Sequence, residues 1–350
     1  MKKKKKLIIL CSIILVLVII TPLPVSIVLY EKFFGHRTES NTREITPTME
    51  EYQSLERSQV QFPSNKGQLL TGYLYNKKDS SETKGLIVLA HGIGGGHIDY
   101  LEEINYLCNN GYEVLGYDNT GCNESEGKSM LGLVQSSIDL DYALRFVESN
   151  EELNKLPILL YGHSWGGFAV CSVLNYDHNI TAVVSRSGFN RSQDMLIEEG
   201  TSMYGDFVKI ASPYLYIYEK FKFGNATDKT AEKGILNTDA KVFLLYGDKD
   251  KVISYDSSIY RIFEDTKKDN VLTKLYPGKE HDVTLSKEAM DYAVIKNEEG
   301  RKLAVKYNDK IPKEELDTYY KGIDKALSRK LDPVVMQDIV DFYDATVGIK

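Results

Sequence analysis

Leu156-Pro157-Ile158-Leu159-Leu160-Tyr161-Gly162-His163-Ser164-Trp165-Gly166-Gly167-Phe168-Ala169-Val170-Cys171 is the stretch whose reading decides the fold. Pro157 opens a short apolar run, Ile158 to Tyr161, with the length and bounding of a strand covered on both faces. Gly162 to Gly166 then fit G-x-S-x-G, a sharp strand-to-helix turn of the nucleophile-elbow kind. A serine held on such a turn sits in strained backbone, so its neighbours two residues away must have almost no side chain. The turn pushes Oγ into the open, and the buried helix that follows aims backbone N–H groups at developing negative charge. The competing reading is an ordinary glycine-rich turn with an inert serine. Whether a base, an acid and a second glycine loop stand in the right order elsewhere decides between the two.

Working outward, Gly85 to Ala90 is another continuous apolar run and hence a covered strand. It ends in His91-Gly92-Ile93-Gly94-Gly95-Gly96. Tyr100, Leu101, Ile104, Leu107 and Cys108 then recur at helical intervals, with Gly111 placed to stop the helix. A strand over Glu113–Asp118, a turn-rich stretch to Gly127 and a helix over Leu133–Glu148 lead back to the elbow strand. Beyond the elbow, Ile180–Ser185, Val242–Tyr246 and Val271–Tyr276 read as strands, with a helix near Tyr255–Glu264. Strands alternating with helices predict an α/β fold with a mostly parallel sheet flanked by helices. Ahead of it, Val60–Phe62 and Leu69–Tyr75 form an antiparallel hairpin around the turn Ser64–Gly67.

The rhythm breaks between Gly188 and Asp239, where no sheet strand is evident. That stretch is rich in aromatics: Tyr204, Phe207, Tyr214, Tyr216, Tyr218, Phe221 and Phe223. Tyr214, Tyr218 and Phe221 would share a helix face, whereas Tyr214, Tyr216 and Tyr218 alternate as in a strand. We read the insertion, about residues 189–239, as a cap over the site; the competing reading is a surface excursion whose aromatics pack onto the sheet. Residues 285–331 read as extra, solvated helices. Asp332 as N-cap and Pro333 at the first position start the last helix, with Val335, Ile339 and Phe342 on its apolar face.

At the N-terminus, Lys2–Lys6 precede an almost uninterrupted apolar segment, Leu7 to Tyr30, about 30 Å as a helix and sufficient to cross a bilayer. Residues 1–30 are therefore expected to be an uncleaved transmembrane anchor, with the lysines cytoplasmic and the rest outside the cell membrane. A cleaved leader would end in small residues, for which Val25-Ser26 is the candidate, and Leu10 argues against a lipoprotein site at Cys11. Residues 31–57 read as a charged juxtamembrane spacer, with Thr48 and Glu51 at capping-box spacing ahead of a short helix to Leu55. Residues 58–350 then form the main domain.

At 350 residues, 42% hydrophobic and 27% charged, the chain is globular. Its net charge is −7, and five of its positive charges lie in Lys2–Lys6, which leaves −12 for the remainder. An acidic body argues against nucleic acid as a partner. The four cysteines show no C-x-x-C pairing and read as unpaired thiols, not as a disulfide framework or metal site. No metal or organic cofactor is implied.

An attacking serine needs a base that titrates near neutrality. His281, in Tyr276-Pro277-Gly278-Lys279-Glu280-His281-Asp282, follows the last strand and has that position. His91 and His163 read as wall or packing residues, His36 and His178 lie in polar segments, and His97 is the weaker candidate base. The imidazole needs a carboxylate to fix its tautomer. Gly247-Asp248-Lys249-Asp250 offers two; Asp250 is preferred and Asp248 reads as a turn residue. The order Ser164…Asp250…His281 follows. Backbone N–H groups of Trp165 and Ile93 are candidate oxyanion donors. The glycine loop matches neither G-x-x-x-x-G-K-[ST] nor G-x-G-x-x-G, which argues against a phosphate cradle.

On His91-Gly92-Ile93-Gly94, Asp118 with Gly121, Ser125 and Gly127, the elbow at Ser164, the Asp248/Asp250 loop and Gly278–His281, the chain from about Ser58 onward resembles the α/β-hydrolases. Within them it is most similar to the serine aminopeptidase (S33)-like and monoacylglycerol lipase-like members. Thr120 departs from that pattern, standing where many relatives carry arginine. The resemblance implies a serine hydrolase acting on a small-molecule ester or short peptide, and the N-terminal segment adds the expected membrane anchor. Ester cleavage is the expected activity. An exopeptidase would need cap carboxylates, for which Glu198, Glu199, Asp206 and Glu219 are candidates. Acyl transfer to an acceptor besides water and a non-catalytic binding role are the remaining competing readings.

Overall fold

In a computed structural model, the structure describes residues 2–40, 46–80 and 82–348. Two helices lead, α1 (Lys2–Ile20) and α2 (Pro22–Phe34). Then follow the strands β1 (Leu55–Pro63), β2 (Leu69–Lys77) and β3 (Leu86–Ala90), helix α3 (Leu101–Asn109), β4 (Glu113–Tyr117), α4 (Gln135–Ser149), β5 (Ile158–His163) and α5 (Trp165–Ser172). After β6 (Ile180–Arg186) come three helices with no strand between them, α6 (Ser192–Tyr204), α7 (Ser212–Phe223) and α8 (Ala231–Leu236). The chain continues through β7 (Lys241–Gly247), α9 (Ile259–Phe263), β8 (Val271–Tyr276), α10 (Lys287–Lys306), α11 (Lys313–Lys321), α12 (Lys325–Ser328) and α13 (Pro333–Val347).

The eight strands form one sheet in the order β1-β2-β4-β3-β5-β6-β7-β8, with the β1–β2 and β2–β4 pairs antiparallel and every other neighbouring pair parallel. The continuous apolar runs are continuous because both faces are covered. On β3, Leu86, Val88 and Ala90 face the layer containing α4 and α5, while Ile87 and Leu89 face α3 and α13. Strand β5 divides in the same way, Ile158 and Leu160 against Leu159 and Tyr161. Asp332 caps α13 by accepting from the N–H groups of Val334 and Val335, and Tyr343 donates to the Leu160 carbonyl at 2.7 Å.

The chain leaves β3 toward β4 on one side and returns to β5 on the other. The crevice beyond the carboxyl ends of β3 and β5 is therefore the topological switch point, where open α/β sheets bind ligands.

Three local expectations need correction, and one choice left open between helix and strand is resolved. The short helix after Thr48 is a single 3₁₀ turn, Met49–Glu51, because the chain is already extended at Leu55. Residues 214–218 are helical, and the buried face of α7 is Leu215, Glu219 and Phe223; Phe221 is 86% exposed. The expected span over residues 7–30 is not one helix: it breaks at Thr21, ahead of Pro22 and Pro24. No helix among the described residues is long and apolar enough to cross a membrane. Finally, the expected spacer is partly docked. Arg37 donates to the carbonyls of Asn123, Ser125 and Gly127, and the Thr38 N–H donates to the Gly121 carbonyl at 2.9 Å.

Candidate active site

Register between neighbouring parallel strands builds the site. Ala90 pairs with Gly162, so the glycine loop after β3 lies beside the turn after β5. Gly247 pairs with Tyr276, so the Asp248/Asp250 loop lies beside the loop carrying His281. All four loops leave the carboxyl edge of the sheet.

At the elbow Ser164 holds φ 56° and ψ −112°, a conformation costly for a residue with a side chain. The flanking glycines are required sterically. A Cβ on Gly162 would lie 2.2 Å from the Gly166 carbonyl oxygen, and one on Gly166 would lie 1.9 Å from that of Ala90. Ser164 donates its N–H to the Arg186 carbonyl at 2.9 Å, fixing the turn to β6. Trp165 is the first residue of α5, so its N–H has no acceptor within the helix. Its indole donates to the Leu133 carbonyl at 2.7 Å. Ile93, on the neighbouring loop, is half exposed, and both residues line the cavity that reaches Ser164.

Nδ1 of His281 lies 2.8 Å from Oδ2 of Asp250, whose side chain is fully buried. The second carboxylate oxygen of Asp250 accepts from the N–H groups of Val252 and Ile253, at 2.8 and 3.0 Å. Asp248 instead accepts from the Gly278 N–H at 2.6 Å, a turn contact. The Ser187 hydroxyl donates to the His281 carbonyl at 2.8 Å, so the histidine loop rests on the end of β6, as Ser164 does. With Nδ1 engaged, Nε2 is the nitrogen left to take a proton. Ser164 and His281 share no hydrogen bond here; such bonds are often long until a substrate completes the alignment.

His91, His97 and His178 are engaged elsewhere. His91 is buried against Trp165 and accepts from the Asn119 N–H at 3.0 Å. His97 pairs with Asp118 at 2.9 Å and stacks on Tyr73. The Asp118 carboxyl is held down at about 2, the neighbouring His97 overcoming the penalty of burial. His178 is clamped between Asp141 and Glu148.

Several residues of the site have no motif to announce them. Tyr100 lies between the two glycine loops: its hydroxyl accepts from the Gly92 N–H at 2.9 Å and lies 2.8 Å from Nδ1 of His163. His163 packs on His281 with ring centroids 4.8 Å apart, and burial drives its pKa well below the ordinary histidine value, so it stays neutral. Arg186, fully buried, donates to Thr284 at 2.6 Å and to Glu103 at 3.4 Å, bracing the segment that follows His281. Asp139 is buried in α4 and accepts from Ser64, Gln135 and Thr120, the last through both N–H and hydroxyl. Burial pushes the Asp139 carboxyl up against the pull of these donors. Thr120, which departs from the arginine of the resemblance, thus ties the loop after β4 to α4.

Over Ser164 opens a cavity of about 360 Å³ between the sheet edge, α6, the start of α7 and α2. Its wall is nearly all carbon, with Leu29, Phe33, Leu133, Phe189, Met203 and Val208 representative. Of the four cap carboxylates, only Glu199 lines it. Glu198 is taken up by the N–H and hydroxyl of Ser254, both at 3.0 Å. Asp206 pairs with Lys209 at the surface. Glu219 is buried and accepts from Tyr30, Ser192 and Gln193.

Comparison with known proteins agrees with this architecture. Residues 81–240 match the family model described as serine aminopeptidase, S33. The proline iminopeptidase of Saccharolobus solfataricus is 33% identical over 148 residues, covering 39% of this chain and 44% of the relative. The monoglyceride lipase of Saccharomyces cerevisiae is 27% identical over 149 residues, covering 41% and 47%. The chain thus spans less than half the length of these curated relatives. Among solved structures, a Pyrococcus furiosus esterase superposes with a TM-score of 0.54 at 15% identity, over 79% of this chain and 100% of the esterase chain. An acetyl xylan esterase from Thermoanaerobacterium gives 0.50 at 15% identity, over 69% and 83%. A mostly parallel sheet with this strand order, an elbow after β5 and these matches together give the chain the α/β-hydrolase fold, within which it resembles the S33 serine aminopeptidases and the monoglyceride lipases.

Proposed function

We propose that the protein is a serine hydrolase that cleaves a carboxylic ester through an acyl-enzyme. Ser164 Oγ attacks the carbonyl carbon while Nε2 of His281 takes its proton, and Asp250 stabilises the imidazolium. The N–H groups of Trp165 and Ile93 receive the oxyanion. The C–O bond to the leaving group breaks as His281 returns the proton to the departing alcohol. Water, deprotonated by the same histidine, then releases the acid and restores Ser164.

One observation carries the reading: a strained serine lies at the foot of an apolar cavity, and the histidine of the adjoining loops is already bonded to a buried carboxylate. Ester is favoured over peptide because three of the four cap carboxylates are exposed or bonded elsewhere, and a free amino terminus needs such partners. Glu199 and the likeness to a proline iminopeptidase favour the exopeptidase as the second reading.

The test is labelling by a fluorophosphonate probe together with turnover of p-nitrophenyl esters and aminoacyl-anilides. We expect labelling that Ser164→Ala abolishes, and ester turnover reduced by about 10⁴-fold or more in that variant. Absence of labelling in the wild type would leave a non-catalytic binding protein. Product carrying the acyl group on an added alcohol or amine would mark an acyltransferase.

Membrane attachment is a separate proposal, carried by the exposed Leu7, Ile8, Ile9, Leu10, Ile13 and Ile14 of α1 behind the lysine run. The apolar part of α1, Leu7–Ile20, measures about 21 Å, so spanning a bilayer would require thinning or snorkelling lysines. Retention in the pellet after alkaline carbonate extraction is the expected result. Protease digestion of intact cells then reports the side of the domain, the outer one being expected from the positive charges.

A further inference from the structure

The cavity over Ser164 is not closed by the hydrolase domain alone. One wall is α2, which contributes Ser26, Leu29, Tyr30, Phe33 and Phe34 and precedes the residues that match the family model. Tyr30 is buried, with its ring edge-on to Tyr218 at 5.3 Å and its hydroxyl donating to Glu219 at 3.2 Å. Glu31 accepts from Tyr218 at 2.6 Å and pairs with Lys222, so α2 is fixed along α7. Beyond α2, Arg37 and Thr38 tie the chain to the loop after β4.

The domain has a seat for this helix. Gly132 holds φ +147°, and a Cβ there would lie 1.8 Å from the Tyr30 hydroxyl and 3.1 Å from Phe223. Position 132 is thus free of side chain where Tyr30 sits. A helix held by a buried hydroxyl and an ion pair, and followed by a segment tied down through Arg37, is part of the wall.

We propose that α2 is the specificity wall of the substrate site: together with α6 it closes the cavity into a slot for the unbranched apolar chain of a fatty-acyl ester, and Phe33 limits the chain length accepted. The inference rests on the esterase reading above. The slot's chemistry selects the ligand. It is lined mostly by aliphatic and aromatic carbon, with Glu199 its one carboxylate, so a chain without polar atoms covers little polar surface that would need a partner. At about 30 Å³ for each water-sized group, its volume suits a chain of on the order of ten carbons.

The experiment uses the full chain in detergent and a series of p-nitrophenyl esters from acetate to dodecanoate. For the wild type we expect kcat/KM to rise with chain length by up to roughly fourfold per methylene until the slot is full. Phe33→Trp, which fills the slot from α2, should lower the ratio of decanoate to acetate kcat/KM about tenfold or more. Val294→Trp, on the exposed face of α10, should leave that ratio unchanged.

A second measurement does not depend on a variant folding. A decyl fluorophosphonate with a terminal diazirine, attached at Ser164 and irradiated, should cross-link to the peptide containing residues 29–34. A wild-type profile flat from acetate to dodecanoate, or cross-links confined to peptides outside that segment, overturns the inference while acetate turnover leaves the esterase reading standing. No turnover of any ester and no labelling at Ser164 sinks the esterase reading itself.

Discussion

Ser164 at φ 56° and the Asp250–His281 pair at 2.8 Å are held by different forces, and the difference is testable residue by residue. The serine is held by backbone: its N–H on Arg186, its helix behind it and the bare glycines beside it. The histidine is held by side-chain bonds, so its orientation depends on which carboxylate supplies them. Asp250→Asn, which keeps the shape and removes the charge, should lower kcat for ester hydrolysis by on the order of 10³- to 10⁴-fold. Asp248→Asn removes only a turn contact to Gly278 and should change kcat less than about threefold. Equal effects of the two substitutions, measured as kcat with protein of unchanged melting temperature, would refute the assignment.

At the scale of an element, α7 shows how a helix can bury a charge-bearing residue at a core position. Glu219 lies between Leu215 and Phe223 on the inward face, and burial pushes its carboxyl up to about 7 against the donors Ser192, Tyr30 and Gln193. The folded state therefore binds a proton that the unfolded chain, with an ordinary value of 4.5, has released over the window between. The associated stability is fully present below pH 4.5 and lost as pH rises through about 7, by about 3 kcal/mol at most. Thermal melts of wild type and Glu219→Gln across pH 5 to 8 should show the wild type losing stability relative to the variant. Parallel melting curves would show that Glu219 does not titrate in this window.

Across the whole molecule, the N-terminal segment is a structural part of the domain. Tyr30 and Phe34 are buried in the same core as Leu133, Met130 and Phe223. Burying two such side chains contributes roughly 3 to 6 kcal/mol, and the Arg37 contacts add to it. Deleting residues 1–40 should therefore lower the melting temperature by several degrees or more and expose Leu133 and Met130. Deleting residues 1–20, which removes only α1, should leave the melting temperature nearly unchanged. Calorimetry on the two truncations separates a docked helix from a loose tether, and equal melting temperatures would contradict the docking described.

The strands, their order along the chain and the glycine-flanked serine were legible in sequence because each is a local pattern. An unbroken apolar run means two covered faces, and small residues around Ser164 mean backbone in contact with backbone. The candidate acid and base were legible by position, since both follow strands of a parallel sheet. What local pattern does not carry is packing between distant segments. Asp139 and Glu219 are buried on helix faces by donors such as Ser64, Thr120 and Tyr30, most of them far away in the chain. Which of Asp248 and Asp250 bonds His281 is visible only in the folded loops, whereas the break in the apolar N-terminal segment falls at Thr21, ahead of the prolines at 22 and 24. The sequence alone determined the α/β alternation and the elbow; tertiary structure alone decided that α2 walls the cavity, because the Tyr30 seat over Gly132 exists only once residues a hundred positions apart have met.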